Sequence, residues 1–518
     1  MTYTGNGVAG RAVPHDLNGT VGFAVVKRLD AITNWEAQHV SVDLTANKGL
    51  YLNTAANLKT HNNVWNSTHA TSTNLILGDH GQVNAVGGSY VAYLWASDAG
   101  GYGDDEDENI VKCGTYTGNG GSSVNSVTVG FEPQWILVKN VTAAGSWAMY
   151  DTMRGWAVSA SSSDDARLFA NSNGAESLGD AFNPTATGFE FQSGNATWNN
   201  SGNDFIYMAI RRPMKTPTAG TEVFTVDTRG STGDGVNPTY RSAWPVDMAL
   251  LRNVGYSSAS TMLTPRLTGS QYMYANQTYA EAAANTVVVW DFMNGWYNDT
   301  GTNTAQLSWM FKRATGYMDV VAYNGSGSNT TQAHNLGVAP EMIIVKRRSS
   351  AEDWLVYSQP TGNQAGTGLN QTAATFTGVS QYWNSTTPTA SVFSLGTHAR
   401  VNTSSQTYIA YLFATLAGVS KVGTYTGTGA DLNVDCGFTG GARFILIRRT
   451  DSSGDWYYWD YLRGITAGND PYSILNTESA QVTGTDYVDP LNAGFTVTSS
   501  ASSTVNINGG TYIFLAIA

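Results

Sequence analysis

Apolar residues in this chain fall in short runs broken by Gly, Asn, Ser and Thr, with no long segment repeating at helical spacing. Tyr90-Val91-Ala92-Tyr93-Leu94 is one such run, and runs of that kind bounded by turn residues predict β-strands. Equivalent runs recur at Phe205–Ala209, Leu307–Phe311, Tyr408–Leu412 and Tyr512–Ala516. Their spacing of roughly a hundred residues is an ordinary domain size, so an internal repeat of five all-β modules is expected.

A second strand recurs and ends on a basic residue: Phe23 to Arg28, Trp135 to Lys139, Met248 to Arg252, Met342 to Arg347 and Phe444 to Arg449. Trp35, Trp147, Trp354 and Trp456 follow four of these five strands, and the third copy is the most diverged. Near-continuous apolar strands predict burial on both faces, as inside a sandwich. Tyr3-Thr4-Gly5-Asn6-Gly7, Tyr116-Thr117-Gly118-Asn119-Gly120 and Tyr425-Thr426-Gly427-Thr428-Gly429 open three modules, and their glycines predict hairpin turns. Phe224 and Tyr323-Asn324-Gly325 hold that place in the other two.

The copies divide into two kinds. Trp65-Asn66-Ser67-Thr68 matches Trp383-Asn384-Ser385-Thr386, and His15, His80, Asn84 and Tyr93 match His334, His398, Asn402 and Tyr411. In the other kind, Trp147 to Asp151 with Arg154-Gly155 matches Trp456 to Asp460 with Arg463-Gly464, and Thr264-Pro265-Arg266 is a worn version. The order reads A, B, B-like, A, B. The expected modules are 1–99, 111–215, 216–315, 316–417 and 418–518, with an acidic linker at 100–110. The connectors are short, so neighbouring modules are expected to touch.

Composition narrows the function. At 518 residues the chain exceeds one core, and with only 13% charged residues its surface must be mostly Ser, Thr, Asn and Gly. A net charge of -12 disfavours nucleic acid, whose affinity comes from Lys and Arg displacing counterions. Cys113 and Cys436 lie in different modules and are expected to be small buried hydrophobes. No run is long enough to cross a bilayer, and the polar start MTYTGNG lacks the features of a signal peptide.

Each motif with possible chemistry has a scaffold counterpart. Gly5-Asn6-Gly7-Val8-Ala9-Gly10 fits a dinucleotide fingerprint but needs a following helix, and its sibling turns lack the third glycine, so a turn is expected and no cofactor. The run Asp104 to Glu108 offers hard oxygens, but Ile110 follows Asn109 where the calcium loop requires glycine, and a solvated linker is expected. His15, His80, His334 and His398 are expected to bond loop carbonyls and not a metal. Asp151 with Arg154 and Asp460 with Arg463 are expected to pin a strand end. Neither a carboxylate pair set for glycoside hydrolysis nor a GxSxG elbow is found, so no catalytic residue is assigned. Trp65, Trp198, Trp296 and Trp383 stand in polar loops and are the candidate ligand contacts, an indole flanked by amides suiting a sugar face. The recurrence of Trp65 as Trp383 also fits a core plug.

The aromatic-Thr-Gly-Asn-Gly opening, Gly130 to Pro133, the strand Trp135 to Lys139, the element Asp151 to Gly155 and the closing FIYMAIRR resemble β-sandwich modules of tail-fibre and other virion proteins of tailed phages, particularly marine ones. The resemblance covers nearly the whole chain and implies jelly-roll or lectin-like sandwiches serving virion assembly or host recognition. It further implies a homotrimer on the virion surface, on tail or capsid, assembled in the host cytoplasm, with other virion proteins and a host cell-surface glycan as partners. No catalytic residue transfers with it. Because the first module starts almost at Met1, attachment to the particle is expected through a module surface. Two rival functions are a carbohydrate-binding lectin and a depolymerase of surface polysaccharide.

Overall fold

The computed structural model describes residues 1–60, 63–103, 106–158, 165–179, 182–191, 197–229, 238–283, 288–298 and 305–518. The chain divides into two compact units, Met1–Pro213 and Met214–Ala518. The first holds modules 1 and 2, the second modules 3, 4 and 5.

Among the described residues there are ten antiparallel sheets, one large and one small in each module. The large sheet of module 1 runs in the order Thr2–Thr4, Ser89–Ala96, Val21–Arg28, Trp35–His39, Lys48–Tyr51 and Lys59–Thr60. Opening strand, closing strand, basic-ended strand, the strand that follows it in the chain and a fifth, receiving strand (Lys48–Tyr51 in module 1) are neighbours in that order in all five. The small sheets separate the two kinds. Modules 1 and 4 have two strands there, as in Arg11–Pro14 with Asn74–Leu77, whereas modules 2, 3 and 5 have three, as in Asn125–Thr128, Gly188–Phe191 and Asn183–Thr185.

Alternation along the basic-ended strand explains its unbroken apolar sequence. In module 2, Ile136 and Val138 pack with Phe182, Phe189 and Phe191 inside the sandwich. Leu137, one residue out of phase, belongs to the core cluster of module 1 instead. Both faces are buried, but the second lies against a neighbouring module and not within the same sandwich. That corrects the expectation drawn from sequence.

The opening turns also depart from expectation. Each joins a strand of the large sheet to a strand of the small one, as Val111–Thr117 is joined to Asn125–Thr128, so none closes a hairpin between paired strands. Both glycines have separate causes. A Cβ on Gly5, Gly118, Gly325 or Gly427 would lie 1.9, 2.2, 2.1 or 2.4 Å from a backbone oxygen, while Gly7, Gly120, Gly327 and Gly429 hold φ of 70 to 72°. A buried asparagine fastens each turn: the Asn84 and Asn506 Oδ1 atoms accept the Asn6 and Thr428 N–H groups at 2.9 Å. Single-turn helices Gly81–Asn84 and Ala399–Asn402 occur at matching places in modules 1 and 4.

Candidate functional site

The recurring tryptophan and basic residue meet at the joints between modules. Trp147 of module 2 donates its indole N–H to the Tyr51 carbonyl of module 1 at 2.9 Å. Trp354 of module 4 reaches the Tyr274 carbonyl of module 3 at 3.1 Å, and Trp456 of module 5 reaches the Gly368 carbonyl of module 4 at 2.9 Å. Tyr51, Tyr274 and Gly368 each end a receiving strand. Module 3 has Thr261 in place of the tryptophan, and Arg252 itself reaches the equivalent carbonyl, Ile474 of module 5, at 2.6 Å.

A backbone bond accompanies every joint, given by the residue seven positions beyond that carbonyl. Leu58 donates to Val141, Glu281 to Arg348, Thr375 to Thr450 and Gln481 to Val254, at 2.8 to 3.1 Å. In the second unit the joints therefore run from module 4 to 3, from 5 to 4 and from 3 to 5, closing a ring of three. Its centre is apolar: Leu250, Phe311, Ile344, Tyr411, Leu446 and Leu515 line a cavity of about 40 Å³.

The basic residues are held in dry surroundings. Lys139 donates to the Ala55 and Gly145 carbonyls and lies 6.0 Å from the Trp147 ring, and Lys346 repeats this with Thr278, Glu352 and Trp354. Desolvation pulls both ammonium groups down to about 8 and the Arg448 guanidinium down to about 10. Groups shifted in this way are candidate bases. Here their hydrogens bond backbone carbonyls of a joint, which makes them fasteners.

Other charged groups also serve the scaffold. Arg348 of module 4 pairs with Glu281 of module 3 at 2.8 Å, both almost wholly buried. Arg154 binds Asp151 at 2.5 Å and Arg463 binds Asp460 at 2.6 Å, as expected of strand-end clamps. Asp460 further accepts the Trp309 indole N–H of module 3 at 3.0 Å, a joint contact that the sequence reading missed. Burial raises the Asp470 carboxyl to about 7, yet both of its oxygens accept backbone N–H groups, from Tyr487 and Val488.

The four candidate ligand tryptophans lie inside modules. Trp65, Trp296 and Trp383 are at most 1% exposed and Trp198 is 5% exposed. Each belongs to a core cluster and offers no ring face to a sugar, so the recurrence of Trp65 as Trp383 is that of a core plug. His15 and His334 face the Thr71 and Thr389 carbonyls through Nε2, as expected. His80 and His398 do not: their Nδ1 atoms accept the Gln82 and Arg400 N–H groups and cap the single-turn helices. Gly5 to Gly10 is followed by the strand Arg11–Pro14, where the fingerprint requires a helix. Within the acidic run, Asp104 and Asp105 lie outside the described residues, and Glu108 pairs with Arg211 at 2.7 Å. No group of three or more His, Cys, Asp or Glu side chains that could hold a metal ion occurs among the described residues. Both cysteines are free and buried.

Sequence reasoning found the tryptophans and the basic residues but not their shared purpose. It also missed Asn53, Asn171, Asn370 and Asn476, whose Oδ1 atoms accept the backbone N–H of Trp35, Trp147, Trp354 and Trp456.

Fold and joints together define a tandem β-sandwich protein whose recurrent polar residues fasten module to module. The chain belongs to the family described as "Domain of unknown function (DUF7483)", whose model matches residues 1–213 and 258–518. Among curated proteins none matches it. No helix among the described residues is long and apolar enough to cross a membrane.

Proposed function

We propose that this chain is a non-enzymatic structural protein of a phage virion, displayed on tail or capsid as a fibre, adhesin or decoration that meets the host. The observation that carries the reading is the use of the recurring Trp, Lys and Arg side chains in module joints. A reaction centre needs polar groups gathered toward a substrate, whereas each of these reaches a backbone carbonyl of a neighbouring module. Scaffolds on a particle gain from repetition, because linked weak contacts rebind at high effective concentration. The composition, rich in Ser, Thr, Asn and Gly with only 13% charged residues, and the likeness to virion modules support the same reading.

Imaging intact particles labelled with an antibody to this chain tests it. Label at a fixed place on tail or capsid is expected, and label absent from every particle would overturn the reading. Incubation with host capsule should release no new reducing ends; their release would establish a depolymerase instead.

A further inference from the structure

Each joint has two sides. The presenting side is the basic residue, its tryptophan and the turn between them; the receiving side is the carbonyl ending the receiving strand and the loop seven residues beyond. In the second unit every module uses both. In the first unit module 2 presents to module 1, and among the described residues the presenting side of module 1 and the receiving side of module 2 have no counterpart within that unit.

The presenting side of module 1 is built like the others. Lys27 lies 6.0 Å from the Trp35 ring and donates to the Thr33 carbonyl, as Lys139 does to Gly145 and Lys346 to Glu352. Its surroundings are open where theirs are closed. Tyr93 is 47% exposed, while Tyr411 and Trp309, at the same register, are fully buried. Leu29 stands where Val254 stands in module 3; Leu29 is 58% exposed and Val254 6%. Beside it Ile32 is fully exposed. Exposed Leu29, Ile32 and Tyr93 beside the half-buried Trp35 mark an interaction surface.

The receiving side is also complete. Phe169 ends the receiving strand of module 2, and its carbonyl takes the Ser172 N–H, just as the Tyr274 carbonyl takes the Gln277 N–H beside the Trp354 indole. Seven residues beyond Phe169 is Glu176, in an exposed loop.

We infer that the first unit docks on the first unit of a second copy of this chain. The two vacant sides are complementary to each other and lie on different modules, so a twofold pairing fills both in both copies. Trp35 of each copy then donates to the Phe169 carbonyl of the other, and the Glu176 N–H of each donates to the Leu29 carbonyl of the other. Four modules surround the shared axis where the second unit has three. Trp95 and Trp135 suit that wider centre; they replace Phe413 and Phe444, which occupy the same register in the sibling modules.

Sedimentation of the full chain at micromolar concentration, with and without substitutions on this face, tests the inference. A species of twice the chain mass is expected, reduced to single chains by Leu29→Glu with Tyr93→Arg and unaffected by Leu462→Glu, another exposed site. The variant Leu29→Cys with Glu176→Cys should form disulfide-linked dimers on oxidation. Since the altered residues are exposed, the melting profile should show all variants folded. Single chains for the wild type would overturn the proposal, as would a dimer or trimer indifferent to the Leu29 and Tyr93 changes.

Discussion

The Trp147 indole N–H donates to the Tyr51 carbonyl at 2.9 Å, and His39, whose backbone pairs with the same module's basic-ended strand, sends Nε2 to the Tyr207 carbonyl at 2.9 Å. Both bonds cross from one sandwich to the next. Burial of these groups makes the joint specific: an indole or imidazole moved out of register would leave a buried donor unpaired, at a cost of about 1–3 kcal/mol each.

His39 gives the first unit an acid-sensitive joint. Nε2 donates to Tyr207 and Nδ1 accepts the Ser41 N–H, so a second ring proton would face a donor. Desolvation accordingly lowers its pKa from 6.5 to about 4. The unfolded chain binds the proton more readily, so this contribution is fully present above pH 6.5 and is lost as pH falls toward 4, by about 3 kcal/mol in all. Melting temperature followed from pH 7 to 4 should fall more steeply for the wild type than for His39→Gln. Parallel curves would contradict the assignment.

The Glu281 to Arg348 pair is buried across the joint of modules 3 and 4. Removing one partner leaves the other charge buried, and Glu281→Ala should cost about 3–5 kcal/mol by chemical denaturation. Replacing both by apolar residues of similar size should recover most of that loss. Equal losses for the single and double variants would show that packing, and not charge, dominates there.

Gly118→Ala places a Cβ 2.2 Å from the Asn200 oxygen, which no side-chain adjustment relieves. A destabilisation of about 1–3 kcal/mol is expected. Gly130, with nothing within 4 Å of a Cβ but φ of 90°, should lose less on the same change. Denaturant midpoints of the two variants compare them.

Much of this architecture was legible in the sequence because its causes are local. Strand runs between turn residues gave the all-β fold, and equal offsets among Trp65, His80 and Tyr93 and their counterparts separated the two kinds of module, which the small sheets mirror. The joints were not legible in the same way. A basic residue followed by tryptophan announces a recurring device, but its partner is a backbone carbonyl, which carries no sequence signal. The asparagines that hold the tryptophans stand 18 residues after Trp35, 24 after Trp147 and 16 after Trp354, so loop length hides them. Trp65 and Trp383 looked like ligand contacts for the converse reason: polar neighbours in sequence did not reveal that the rings turn inward.

Calorimetry of Trp456→Phe shows whether these side chains bind modules 3, 4 and 5 into one closed ring. Modules 3, 4 and 5 are expected to unfold in one transition, and losing the bond to Gly368 should lower the whole of it by about 1 kcal/mol or more of stability. Three separate transitions in the wild type, with only one moved by the substitution, would contradict it.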